Sequence, residues 1–239
     1  FPGILRTLGK LVILHMKRQV RDPALREQLT PHYVLGCKRI LLANDYYPAL
    51  QKTNAKLVTS GIERIVADGV LTQDGKHHKL DTLVLATGFD VADAKAPFPI
   101  TGRGGADFND AWRDGPVAYL GSTVPAFPNL FMITGPNSGL GHNSMIYMIE
   151  SHIAYVMDAL RQMRTTGAAA VDVKPQAFAR YNDEVQSRMQ RTVWATGGCQ
   201  SWYRSASGRV TTLWPGFTFE FRRRTRQLAL DDYELLKQP

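Results

Sequence analysis

The order of apolar and polar residues divides the chain into helical, strand-like and loop stretches. Over residues 4–18, Ile4, Leu5, Leu8, Leu11, Val12 and His15 recur at helical spacing, with Arg6, Lys10 and Lys17 largely off that stripe. This predicts an amphipathic helix packed through its apolar side, a membrane-surface helix being the alternative. Asp22-Pro23 predicts a second short helix, Asp22 as its cap and Pro23 in its first turn, limited by Pro31. From Gly36 the texture becomes strand-like in "KRILLA" (38–43), "KLVTS" (56–60), "IERIVA", "GVLTQ" and "HKLDTLVLAT". Asp68-Gly69 and Asp74-Gly75 separate the last three runs, and Asp-Gly between alternating runs signals a hairpin. A small antiparallel meander is expected, leading into a buried strand at 82–86.

Residues 89–128 read as loop, and "NLFMIT" (129–134) as another buried strand. It runs into "GPNSGLGHNS" and a long helix, about 144–164, carrying Met145, Met148, Ile149, His152, Ile153 and Val156. Pro175 opens a further helix ending near "RMQRT", and the tail (192–226) reads as irregular structure with a strand in "LWPGFTFEF". A strand, a Gly-rich loop and a helix in succession is the layout of a ligand site, because a helix start presents unpaired N–H groups. Gly135, Gly139 and Gly141 supply the backbone freedom, and Asn143 or Ser144 can cap the helix. No G-x-G-x-x-G fingerprint is present: Ser144 stands where the third glycine would follow Gly139 and Gly141, and Asp107 does so in "TGRGGAD".

Composition narrows the classes. The 239 residues suffice for one large domain or two smaller ones, and the 44% hydrophobic content is ordinary for a globular protein. No apolar run approaches the roughly 18 residues of a membrane span. The chain opens on Phe1 without a charged leader, which argues against a signal peptide and for a piece of something longer. The net charge of +8 and pI of about 9.6 suit nucleic acid, anionic lipid or phosphorylated small molecules. No nucleic-acid-binding pattern is present, and "FRRRTR" (221–226) reads first as a solvated basic face, then as a phosphate site. Cys37 and Cys199 match no metal or redox spacing, which predicts two reduced thiols in a cytoplasmic protein. No metal cluster and no nucleophile–His–Asp spacing is found.

Four segments together change the picture: "GCKRILLANDYYPAL" (36–50), "DTLVLATGFD" (81–90), "FPNLFMITGPNSGLGHNS" (127–144) and "SWY" (201–203). In residues, order and separation they resemble the C-terminal half of the class B flavoprotein monooxygenases, the Baeyer–Villiger enzymes especially. The resemblance implies an α/β fold, part of a flavoprotein with two Rossmann-like dinucleotide-binding domains, bearing a small antiparallel meander and flanking helices. It implies that residues 1–35 end a helical insertion, 36–88 belong to the NADPH domain and 89–239 to the FAD domain. Ala86, Thr87 and Gly88 would then be the crossing between domains, small enough to lie against both cofactors, with Asp90 ordering it. The 137–145 segment, with Asn137, Leu140, Gly141 and Met145, would run beside the flavin ring.

By the same resemblance Arg39 stabilises an anionic C4a-peroxyflavin, a task suited to a group that stays charged and offers several donors in one plane. Lys38 would contact the 2′-phosphate of NADPH. Trp202, Leu140 and His142 would face the substrate, an indole in the core and a polar loop histidine being the plainer readings of Trp202 and His142. The implied activity is FAD- and NADPH-dependent insertion of one oxygen atom from O₂ into a ketone, giving an ester or lactone. The sister reaction at nitrogen or sulfur of an amine or sulfide is the alternative. Both cofactor glycine loops and the Baeyer–Villiger fingerprint are absent from the sequence. The expected partner is therefore the N-terminal half of the same enzyme, with no nucleic acid and no membrane. Taken alone the chain is expected to be inactive. A non-catalytic remnant acting as a binding module is the reading from another class.

Overall fold

The computed structural model describes residues 2–88, 91–92, 95–141, 143–205 and 207–237. The chain forms two compact units, one of Thr7–His32 and Leu41–Phe89, the other of Phe1–Arg6, Tyr33–Ile40 and Asp90–Pro239.

In the smaller unit local signals hold. Helix α1 (Pro2–Gln19), which begins in the other unit, ends where Arg26 donates to the carbonyls of Val20 and Lys17. Asp22 caps α2 (Pro23–Leu29) by accepting from the Ala24 N–H at 2.9 Å. A short helix α3 (Tyr46–Leu50) follows. Strands β1 (Ile62–Val66), β2 (Gly69–Thr72) and β3 (His77–Lys79) form the expected meander in the order β1-β2-β3, both pairings antiparallel. Gly69 lies under β3, where a Cβ would meet the His78 carbonyl oxygen at 2.0 Å, so only glycine fits.

Four expectations for residues 2–88 fail. The α1 stripe is packed only in part: Leu5 is half-buried, but Ile4, Leu8, Leu11 and Val12 are exposed, and full burial falls on Met16 and Val20. Residues 38–43, which run from the larger unit into this one, and 56–60 form no strand. Nor do residues 82–86, whose Val84 is 80% exposed. Apolar composition favours a strand only where a neighbour completes the hydrogen-bond ladder. Among the described residues no other strand bonds to these runs.

The larger unit carries the main core. Helix α4 (Phe108–Ala111) is short and capped by Asp107. Helix α5 (Met145–Thr166) realises the long predicted helix and ends at Gly167 in the left-handed region. Strand β4 (Ala170–Val173) pairs antiparallel with β5 (Tyr233–Leu236), a pairing across the sequence that periodicity does not reveal. Between them lie α6 (Pro175–Met189), opened by Pro175 as expected, α7 (Val193–Thr196) and α8 (Thr218–Arg224). The core packs Tyr155 and Met148 of α5 with Val171, Tyr181, Trp214 and Phe221.

Residues 129–134 are not a strand. Asn129 and Thr134 have φ of 60° and 59°, and left-handed backbone at both ends breaks the extended run. "LWPGFTFEF" holds α8 and no strand. A strand would turn Phe217, Phe219 and Phe221 to one face, whereas the helix buries Phe221 and leaves the other two 61% and 62% exposed. The cysteines are not reduced thiols: Cys37 and Cys199, 162 residues apart, form a disulfide with Cα atoms 6.1 Å apart. Among the described residues no helix is long and apolar enough to cross a membrane.

Candidate functional site

The loop between residue 134 and α5 is held from below by the 211–214 segment. Asn137 N–H donates to Thr211 O at 2.7 Å, Gly139 N–H to Thr212 O at 2.8 Å, and Trp214 N–H to Gly139 O at 2.9 Å. The buried Asn137 amide adds two bonds, from Nδ2 to the carbonyls of Val210 (2.8 Å) and Leu213 (3.0 Å). Its φ of 54° is one that asparagine tolerates better than most residues. Gly139 must be glycine for contact: a Cβ there would lie 2.7 Å from Thr212 O. At the helix start Asn143 Oδ1 accepts the Ser144 N–H at 2.7 Å, so Asn143 supplies the local bond and Ser144 occupies the cap position.

Above this loop opens a cleft of about 380 Å³. Arg39, Leu140, Met145 and Trp202 all line it, so four residues singled out from sequence meet in one place. Val91, Trp112, Thr134 and residues 211–213 also line it. Arg39 is the one charged residue among the described lining. Its positive charge reaches the neighbouring Tyr203: burial pushes that phenol's pKa up, and Arg39 pulls the other way. Trp202 is half exposed and tilts against Tyr203, ring centroids 4.4 Å apart. Trp112 is fixed by donation from Nε1 to Val117 O at 2.8 Å.

Lys38, Asn137 and Gly141 are not among the lining residues. Lys38 is exposed, its Nζ 4.9 Å from the Tyr33 ring centroid. Asn137 faces protein carbonyls, and Gly141 sits beside Trp194 and Tyr203. Ala86, Thr87 and Gly88 belong to the other unit, where Gly88 has the positive φ (86°) that glycine permits. Asp90 and His142 lie outside the described residues. Sequence reasoning missed Trp112, Val91 and Thr134. Only the indole of Trp112 carried a signal, a large aromatic in a loop.

His152, read from sequence as part of a helix face, is buried behind the loop. Its Nε2 lies 3.0 Å from Leu120 O and its Nδ1 accepts the Thr134 N–H at 3.3 Å. Burial lowers its pKa, which keeps the imidazole neutral.

An aromatic and aliphatic cleft with one cation at its wall suits a flat ring or a small compound that develops negative charge. No family profile matches the chain. It is 45% identical over its full length to a Baeyer–Villiger monooxygenase of Pseudomonas aeruginosa, and 45% identical over 99% of its length to one of Streptomyces coelicolor. Those alignments take in 45% and 46% of the two relatives, so the chain spans about half the length of the curated relatives it matches. Among solved structures, cyclohexanone monooxygenase from Rhodococcus sp. Phi1 bound to NADP+ superposes with a TM-score of 0.87 at 26% identity, covering 100% of this chain and 46% of that one. Oxidized steroid monooxygenase bound to NADP gives 0.85 at 30% identity, over 100% and 46%. These matches run over the whole of this chain and about half of each relative, and they place it among the class B flavoprotein monooxygenases. Within that class the chain belongs with the Baeyer–Villiger monooxygenases.

Proposed function

We propose that this chain is the C-terminal part of an FAD- and NADPH-dependent monooxygenase that inserts one oxygen atom from O₂ into a ketone. The supporting observation is that Arg39, Leu140, Met145 and Trp202 line one cleft. Its lining fits the ring of a flavin or nicotinamide. The sequence lacks the glycine loops that hold a pyrophosphate, so the chain suits part of each cofactor site. Leu140, Met145 and the backbone of the loop would hold the flavin ring, with Gly141 and the rigidly tied Asn137 keeping the loop close. Lys38 would take the 2′-phosphate of NADPH, and Ala86, Thr87, Gly88 and Asp90 the crossing between the cofactors.

NADPH and FAD, when bound, supply two electrons and the activation of O₂. In sum, ketone, O₂, NADPH and H⁺ give ester or lactone, NADP⁺ and water. The chain's residues do the rest. Arg39, permanently charged, stabilises negative charge on an oxygen atom in the cleft and thereby keeps it nucleophilic towards a carbonyl. Trp202, Trp112, Leu140 and His142 would exclude water and orient the ketone.

Leu42 (96% exposed) and Val84 are apolar side chains of the kind a further domain covers, and we assign that role to the N-terminal half of a longer enzyme. The chain alone is accordingly inactive and binds flavin weakly. The test is the longer enzyme, purified and supplied with NADPH. A yellow protein whose NADPH oxidation speeds up with a cyclic or aryl ketone supports the proposal. Acceleration by a tertiary amine but not by ketones moves the reading to nitrogen and sulfur oxygenation. A colourless protein that binds neither cofactor leaves the non-catalytic remnant.

A further inference from the structure

Cys37 lies two residues before Arg39, and Cys199 three residues before Trp202; Arg39 and Trp202 line the same cleft. We propose that the Cys37–Cys199 bond is a positioning clamp for this cleft, holding the Arg39 segment to the Trp202 loop, and that a dithiol reductant releases it. The proposal rests on Arg39 and Trp202 being working walls of the cleft, as argued above.

The clamp is built into its surroundings. Both cysteines are buried in an apolar cluster with Val193, against which Leu5, Val34 and Trp194 pack. Val34 N–H donates to Gly197 O at 2.9 Å, bringing the two segments side by side, and Cys37 N–H closes a turn onto Val34 O at 3.1 Å. Gly197 lies so near that a Cβ there would come 2.7 Å from Cys37 Sγ, so glycine makes room for the bond. Beyond Cys37 the tethering stops. Among the described residues no backbone hydrogen bond holds residues 38–40, and Arg39 makes no ion pair. The place of its guanidinium therefore depends on the tether two residues upstream. A cross-link closing so long a loop also restricts the unfolded chain.

Release is a two-electron reduction. The S–S bond breaks, the reductant's two thiols pass two electrons and two protons to the sulfurs, two cysteine thiols form, and the reductant becomes a cyclic disulfide.

The test uses the full chain and needs no cofactor. After purification in air, a thiol reagent in denaturant should find no free thiol, and a non-reducing digest should yield a peptide joining Cys37 to Cys199. Dithiothreitol should speed tryptic cleavage after Lys38 and Arg39 by about tenfold or more, with other sites unchanged, and re-oxidation should reverse it. Quenching of Trp202, read as wild type minus W202F, should lose its preference for iodide over neutral acrylamide as the Arg39 charge moves away. Two free thiols in the air-purified protein, or unchanged cleavage, overturn the clamp. Faster cleavage with an unchanged iodide preference also overturns it, because the link is then structural only. The C37S/C199S double variant should match the reduced protein without reductant. If these results hold while the longer enzyme shows no ketone-dependent turnover, the functional reading fails and the clamp stands.

Discussion

His152 Nδ1 lies 3.3 Å from the backbone nitrogen of Thr134. One imidazole of α5 thus carries the edge of the cleft, since its other nitrogen reaches Leu120 O and Thr134 lines the cleft. The neutral tautomer with the proton on Nε2 satisfies both contacts: Nε2–H donates to the carbonyl and Nδ1 accepts the amide N–H.

A pH dependence follows. Burial lowers the native pKa of His152, so the unfolded chain binds a proton more readily as pH falls below the ordinary imidazole value of about 6.5. Its contribution to stability is present above that value and is lost as pH falls towards the native pKa. The urea midpoint of the wild type should drop between pH 7 and pH 5, and that of His152→Gln should drop less. Equal slopes would show that His152 does not titrate on unfolding.

Gly139 and Gly141 should respond unequally to the same change. Gly139→Ala puts a methyl 2.7 Å from Thr212 O, a backbone atom that cannot swing aside, and should cost about 1–3 kcal/mol. Gly141→Ala meets nothing nearer than Trp194 at 3.6 Å and should change stability by less than about 0.5 kcal/mol. Denaturant unfolding of the two variants side by side checks both.

Asn137→Ala removes both donors to the Val210 and Leu213 carbonyls and leaves alanine at a positive φ. The expected loss is about 1–3 kcal/mol. Asn137→Asp should be no better, since a carboxylate cannot donate to either carbonyl. Thermal midpoints of the two variants decide.

Arg39 and Lys38 should separate in kinetics of the longer enzyme. Arg39→Ala should lower ketone-dependent kcat by roughly a hundredfold or more, and Arg39→Lys should recover only part of it. Lys38→Ala should raise KM for NADPH and leave KM for NADH unchanged, because only NADPH carries the 2′-phosphate. A kcat effect at Lys38 with no change in KM would reverse these assignments.

What the sequence determined by itself was local. The Asp22 cap, the Pro175 helix start, the Asp-Gly hairpins of the meander and the long α5 each depend on a few adjacent residues, and all form as read. The resemblance of four short motifs also pointed to the cleft, where Arg39, Leu140, Met145 and Trp202 meet. Tertiary structure decided the rest. Residues 38–43 and 82–86 have strand composition, but a strand exists only with a partner to bond, and composition does not name one. The β4–β5 pair and the Cys37–Cys199 bond join residues far apart in the chain, whose meeting no local pattern encodes. Burial of His152 behind the cleft and of Phe221 alone among its three phenylalanines came from packing of α5 and α8 against the core, a property of the whole fold.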